Sequence, residues 1–152
     1  MEVLLGLSLA FIGIFAGIYV ATLIHDRRIA DLSAAQYVAM HQMRDKTFRR
    51  VMPVLGLTTV GLLVASTALV LAPGVPRLLG AAACLLLLVD VALTVTRQLP
   101  LNQQIQSWTE TTIPDDWRRV RDLWALHHNV RTILAGASYV FFLAAVLLTT
   151  AR

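Results

Sequence analysis

The sequence contains few charged residues and a single cysteine. Asp, Glu, Lys and Arg make up 14% of the 152 residues, whereas soluble domains contain about 25%. Together with 57% hydrophobic residues, this shortage of charge argues against an ordinary soluble domain and indicates a lipid environment. Because Cys84 is the only cysteine, an intrachain disulfide is excluded, and we expect Cys84 to be buried as a small apolar residue.

Four apolar segments are each long enough to cross a bilayer, which takes roughly 20 residues. These segments are residues 3–24, 51–72, 78–96 and 132–151. Asp90 is the only charged residue in the four segments. The first segment lacks the basic start of a signal peptide and is too long for one, so we expect it to be retained. The sequence therefore predicts an all-α integral membrane four-helix bundle, formed as a single membrane domain over all 152 residues.

Basic residues are distributed unevenly between the predicted loops. Residues 25–50 and 97–131 contain 11 of the 13 Lys and Arg residues, and only Arg77 and Arg152 lie elsewhere. Cytoplasmic loops of membrane proteins are enriched in Lys and Arg. We therefore predict a multi-pass protein with both of these loops in the cytoplasm and both termini outside. The same placement accounts for the net charge of +4 without a nucleic-acid partner.

The first of these loops has the pattern of an amphipathic cytoplasmic helix. Ser33, followed three residues later by Gln36, forms a capping box, which marks the start of a helix. We expect this helix to run from about residue 34 toward Pro53. Four side chains recur along it at spacings of four, three and four residues, which places them on one face: Tyr37, His41, Arg44 and Phe48.

A stripe of polar and aromatic residues follows the start of the last helix. At about 100° per residue, it covers roughly 80° and contains Trp117, Arg121, Trp124, His128, Arg131, Ala135 and Tyr139. Such side chains do not suit lipid tails, so we expect the stripe to face the bundle interior or a cytoplasmic cleft. Trp and Arg also anchor helices at membrane interfaces, but that alternative explains His128 and Arg131 less well.

All four histidines lie near the ends of predicted spans on the cytoplasmic side: His25, His41, His127 and His128. Imidazole acts as a base or ligates a metal near neutral pH. The sequence contains neither an HExxH nor a CxxC motif, so a metal or haem site would have to be assembled in three dimensions. Separate histidines at the membrane interface are the alternative.

Asp90 interrupts the apolar third span roughly 10 Å from Arg97 at its cytoplasmic end. An ionisable group at this depth is costly and is a candidate for function. In a regular helix Thr94 and Arg97 follow Asp90 on the same face, and Pro100 is expected to end the span. The structural alternatives are a protonated carboxyl or an ion pair with Arg97 or Arg131.

Small residues form a stripe on the first span, at Ala10, Gly13, Gly17 and Ala21. Such stripes allow membrane helices to approach closely. The contact is either within the bundle or between copies, so a homo-oligomer through the Gly13 and Gly17 face is one predicted partner, beside the lipid bilayer itself.

The second half of the sequence contains spaced motifs: "PLN", a tryptophan, "RDLW" and "HHNVRT". This pattern resembles that of the anthrone-oxygenase-like family of small four-span membrane proteins. The matching residues are Pro100, Leu101, Asn102, Trp117, Arg121, Trp124, His128, Arg131 and Thr132. His127 stands where many members have an aromatic residue, which leaves open which of the paired histidines is functional.

The resemblance implies a membrane oxidoreductase that uses O₂ to oxidise a flat, apolar, phenolic or quinone-like substrate at the cytoplasmic interface. His128 would act as the base, with Arg131 or Arg121 stabilising the enolate and Asp90 as a further catalytic candidate. The expected substrate-binding residues are Trp117, Trp124, Arg121, Asn102 and Tyr139. This mechanism requires no cofactor.

Three alternatives remain at this point. Haem, iron or copper at His25, His41, His127 and His128 would offer another route to O₂ activation. The chain would otherwise be a haem- or metal-binding membrane protein without its own substrate, or a non-catalytic subunit or assembly factor of a larger membrane complex.

Overall fold

The computed structural model describes residues 1–151, with every side chain except that of Ala30. Arg152, one of the two basic residues predicted on the outer side, lies outside the described residues. Within the described part, four helical rods are long and apolar enough to cross a membrane. This confirms the predicted all-α bundle and indicates a multi-pass membrane protein.

The helices follow the order of the predicted spans. Five α-helices are present in the described residues: α1 (Glu2–Asp26), α2 (Ala34–Leu69), α3 (Val75–Leu93), α4 (Leu99–Gln106) and α5 (Trp117–Thr150). A short 3₁₀ turn lies at Ile29–Asp31, and a π-helical turn at Thr94–Gln98 joins α3 directly to α4. Helix α5 packs against α1 and α3, and α2 packs against the same two helices.

Helix α2 is longer than the amphipathic segment predicted before Pro53. The capping box is confirmed, since the Ser33 hydroxyl accepts from the Gln36 backbone N–H while the Gln36 side chain accepts from the Ser33 N–H. The helix then continues through Pro53 to Leu69. Proline removes one backbone hydrogen bond from a helix interior, but this helix remains unbroken. The amphipathic segment and the second span are therefore one rod.

Pro100 does not end the third rod, because the helix changes its winding instead. Proline has no backbone N–H and its ring crowds the carbonyl one turn earlier. Just before it, the N–H of Leu99 bonds to the carbonyl of Thr94, five residues back, which is the π-helical pattern. The rod consequently continues to Gln106 as one helical unit from Val75.

Two hydrophobic cores lie along the bundle. The aliphatic core fills the part predicted to lie in the membrane and is built largely from Leu5, Ile12, Leu63, Leu87, Ala135 and Phe142. The aromatic core lies where α2 and α5 begin, and contains Ile29, Tyr37, Val38, Ile105, Trp108, Trp117, Val120 and Trp124. We call the end of the bundle with the aromatic core the basic end, because the two basic loops meet there.

The small-residue stripe of α1 is divided between two environments. Gly13 faces α5, where a Cβ atom added to it would lie 3.5 Å from the Tyr139 ring. Gly17 has no such neighbour within 4 Å among the described atoms. The close approach at Gly13 is thus within the bundle, and a homo-oligomer through this face stays a prediction.

Candidate functional site

A cavity of about 520 Å³ lies among α1, α2, the α3–α4 rod and α5, and residues of both cores line it. Binding pockets for small molecules usually measure about 300–1,000 Å³. Its apolar wall includes Phe15, Ile18, Phe48, Met52 and Val91. Charged and polar side chains from all four rods converge on the same space, so the cavity combines a mostly apolar surface with a few fixed polar groups.

Asp90 and Arg131 form a buried ion pair on the cavity wall. Oδ1 of Asp90 accepts from Nε of Arg131 at 2.9 Å, and Oδ2 accepts from the Tyr19 hydroxyl at 3.2 Å. Arg131 also donates through Nη2 to the Tyr19 hydroxyl oxygen. Asp90 is only 1% exposed. Because a guanidinium has five N–H groups and two are used here, Arg131 retains donors for a ligand.

His128 has a defined proton position. Its Nε2 lies 3.2 Å from the backbone carbonyl oxygen of Tyr19. A carbonyl only accepts, so Nε2 carries the proton, and in a neutral imidazole the lone pair is then on Nδ1. The ring stacks on Trp124, with centroids 5.1 Å apart and planes at 15°. The site therefore contains an oriented base beside the buried ion pair.

Asn102 connects the second and last rods through one side-chain amide. Its Oδ1 accepts from Nε1 of Trp124 at 2.7 Å and from Nε2 of His41 at 3.3 Å, while its Nδ2 donates to Asp45 at 2.9 Å. An indole N–H can only donate, which fixes the orientation of the amide and the proton of His41 on Nε2. The Nδ1 atom of His41 is buried and has no hydrogen-bond partner in the described structure.

The family of the chain follows from its sequence. The profile of the anthrone oxygenase family matches residues 40–141, which is about two thirds of the 152 residues. The chain belongs to the anthrone oxygenase family. The match includes Asp90, Asn102 and Arg131 but not Tyr19 on α1. No similar chain is found among the curated proteins or the solved structures.

The structure brings about half of the predicted site residues of this anthrone oxygenase family member to the cavity. Those that line it are His41, Asp90, Asn102, Trp124, His128 and Arg131. The inward stripe of α5 is buried or half-buried as predicted, but the residues at its two ends do not line the cavity. Asp90 pairs with Arg131 and not with Arg97, which is exposed.

Five predicted residues do not line the cavity. Trp117 packs in the aromatic core against Tyr37, with ring centroids 5.5 Å apart. Arg121 lies over the Trp117 ring and beside a separate small cavity. Tyr139 packs against the aliphatic core near Gly13. The other two are His25 and His127.

The four histidines do not converge. His25 is largely exposed, and its Nδ1 lies 3.4 Å from Oδ1 of Asp26. His127 does not line the cavity, whereas His41 and His128 do. Among the described residues, no group of three or more His, Cys, Asp or Glu is placed to hold a metal ion. In the described structure, the four histidines therefore do not form one shared metal centre.

Tyr19, Arg44 and Gln98 are cavity residues that the sequence pattern did not single out as a site. Tyr19 could have been identified from the sequence as a candidate site residue, because it carries a hydroxyl in a span without charged residues. For Arg44 the spacing predicts only that it shares one helix face with His41 and Phe48. Its guanidinium lies 4.6 Å from the Trp124 ring centroid and pairs with Asp26. Gln98 could not be predicted from the sequence, because in a regular helix Arg97, not Gln98, lies on the same face as Asp90.

Proposed function

We propose that this family member is a membrane oxygenase that binds a flat, phenolic, anthrone-type substrate in the cavity and oxidises it with O₂. One observation supports the proposal most strongly. An imidazole with its proton fixed on Nε2 shares an apolar cavity with a guanidinium that has unused donors. A base next to a stabiliser of developing negative charge is what removal of an acidic C–H proton requires.

The reaction begins at the methylene carbon of an anthrone, which lies between the two aromatic rings opposite the carbonyl. Nδ1 of His128 accepts one of its protons, and Arg131 donates to the enolate oxygen that becomes negatively charged. The electron-rich carbon reduces O₂ and bonds to it, giving a substrate hydroperoxide. Loss of water from this hydroperoxide removes the second hydrogen and forms the carbonyl. One substrate and one O₂ thus give one quinone and one water.

The remaining polar residues keep these two groups in place. Asp90 and Tyr19 hold Arg131 through hydrogen bonds to Nε and Nη2 of its guanidinium. Trp124 stacks on His128 and is itself fixed by Asn102. Because Asn102 already has three partners, we assign it to positioning Trp124 and His41 rather than to binding a substrate carbonyl.

The cavity offers an apolar substrate a route from the membrane. Among its lining residues, Leu57 on α2, Val95 in the π-helical turn and Leu99 at the start of α4 are exposed at the bundle surface. All three are apolar and belong to α2 and the α3–α4 rod. We therefore expect the substrate to enter sideways from the lipid rather than through the basic loops.

Turnover by the protein purified in detergent tests the proposal. With an anthrone as substrate, an oxygen electrode and product absorbance should show one O₂ consumed per quinone formed, well above the protein-free rate. With ¹⁸O₂, the new carbonyl should carry the label. An oxidation rate equal to the protein-free control would refute the oxygenase function. A rate that depends on stoichiometric bound iron or copper would refute the cofactor-free mechanism.

A further inference from the structure

Gln98 is the most unusual polar residue of the cavity wall. It is 2% exposed, and neither the oxygen nor the nitrogen of its amide has a hydrogen-bond partner in the described part of the chain. Buried amides are nearly always paired, because an unpaired one loses its hydration without compensation. A leucine at this position would avoid that cost, so the amide calls for a partner outside the protein.

The winding of the third rod places Gln98 on the cavity wall. Asp90, Thr94, Gln98 and Asn102 recur every four residues, and all four line the cavity. In a regular α-helix the 12 steps from Asp90 to Asn102 turn through about 1,200°, which would point the two side chains about 120° apart. The π-helical turn at Thr94–Gln98 fits more residues into one turn and brings the row into line.

Two further unpaired atoms belong to cavity residues on α2. Nδ1 of His41 is an acceptor, and Nη2 of Arg44 is a donor; both are buried without partners in the described structure. His41 and Arg44 lie one helical turn apart and both line the cavity. Together with the Gln98 amide, they give the cavity wall two kinds of unpaired donor and two kinds of unpaired acceptor.

We propose that Gln98 is a substrate-binding residue that sets the specificity of the cavity, by hydrogen bonding through its amide to oxygen substituents on the substrate rings. The inference rests on the proposed function, since it assumes that this cavity holds the ring system. A site with buried groups that need hydrogen bonds rejects an analogue that cannot supply them. Gln98 therefore selects a hydroxylated polycyclic ligand over its unsubstituted parent.

Binding of two stable quinones tests this inference without turnover. A dihydroxyanthraquinone and unsubstituted anthraquinone are titrated into the full-length protein in detergent, with quenching of tryptophan fluorescence as the signal. The wild-type protein should bind the hydroxylated compound about 10- to 100-fold more tightly, as expected for one or two hydrogen bonds to otherwise unpaired groups.

Gln98→Leu is the test variant, and Arg97→Leu, at the exposed neighbouring position, is the matched control. Gln98→Leu should lose most of the preference while keeping its affinity for anthraquinone, whereas Arg97→Leu should keep both. The melting temperature of Gln98→Leu should be unchanged or higher, because the variant removes two unpaired polar atoms. If Gln98→Leu does not fold, Gln98→Met provides a flexible side chain of similar length.

Several outcomes would overturn the inference. A preference that survives Gln98→Leu would mean that a water molecule, not the ligand, satisfies the amide. Equal losses of affinity for both quinones would indicate a structural role. If the preference depends on Gln98 but anthrones are not oxidised, only the proposed oxygenase function fails. If neither quinone binds the wild-type protein, the inference about Gln98 fails, and anthrone turnover alone then decides the oxygenase function.

Discussion

The two ends of the bundle differ in whether their buried polar atoms have hydrogen-bond partners. In the aliphatic core, the hydroxyls of Ser8 and Ser66 bond to each other at 2.8 Å, and Ser138 donates to the Ala83 carbonyl at 2.8 Å. At the basic end, five residues keep buried polar atoms with no partner in the described structure: Tyr37, His41, Arg44, Gln98 and His127. Three of these five line the cavity.

If the cavity holds the substrate as proposed, this difference separates the residues that stabilise the fold from those that serve the reaction. In the aliphatic core, the short hydroxyls are satisfied locally and most of the remaining buried side chains are apolar. Around the cavity, charged and amide groups remain at a cost in stability, which natural proteins tolerate mainly at functional sites. The predictions below test whether the two ends can be perturbed independently.

Removal of the proposed base should have the largest effect. His128→Ala should lower kcat/KM for an anthrone by about 10²- to 10⁴-fold, the usual contribution of a general base. His127→Ala is the control, because His127 is adjacent in sequence but does not line the cavity. Oxygen consumption measures both variants. Equal, small effects of the two substitutions would indicate that both histidines only anchor the helix at the membrane interface.

Breaking the buried ion pair should affect both activity and stability. Arg131→Ala leaves the Asp90 carboxylate buried without its cation, which typically costs about 3–5 kcal/mol of folding free energy. Reversible unfolding in mixed detergent measures this loss. The double variant Asp90→Asn with Arg131→Gln should recover much of the stability but not the activity. A double variant as unstable as Arg131→Ala would show that packing, not charge, is responsible.

Trp124→Phe should have a moderate effect confined to the basic end. The substitution keeps an aromatic ring next to His128 but removes the N–H that donates to Asn102. One neutral hydrogen bond contributes about 1 kcal/mol, so we expect kcat/KM to fall by up to about 10-fold. Trp117→Phe, in the aromatic core outside the cavity, should leave the rate near that of the wild type. The reverse order of effects would contradict the assigned cavity wall.

A substitution in the aliphatic core should have the smallest effect on activity. Ser66→Ala removes the hydroxyl that bonds to Ser8, and should lower the free energy of unfolding by about 1 kcal/mol. Because both serines are outside the cavity lining, kcat/KM should not change. A clear loss of activity would show that the two ends are coupled.

Much of the fold was readable from sequence because it depends on local patterns. The apolar segments, the capping box at Ser33 and the inward stripe of α5 all follow from the composition and spacing of neighbouring residues. The site was only partly readable. His128, Arg131, Asp90, Asn102 and Trp124 were assigned from the stripe, the depth of the carboxylate and the family resemblance, and all five line the cavity.

The sequence by itself determined that the chain forms four apolar helical rods with polar groups gathered toward one end, because hydrophobicity and helical period are properties of each segment alone. Only the tertiary structure decided that Asp90 meets Arg131, that His41 joins the cavity while His25 does not, and that Gln98 replaces Arg97 on the inner face. Those outcomes depend on the rotation of each rod about its axis and on the π-helical turn before Pro100. The rotations are set by packing between residues far apart in the chain, and the turn by the way in which the helix accommodates Pro100.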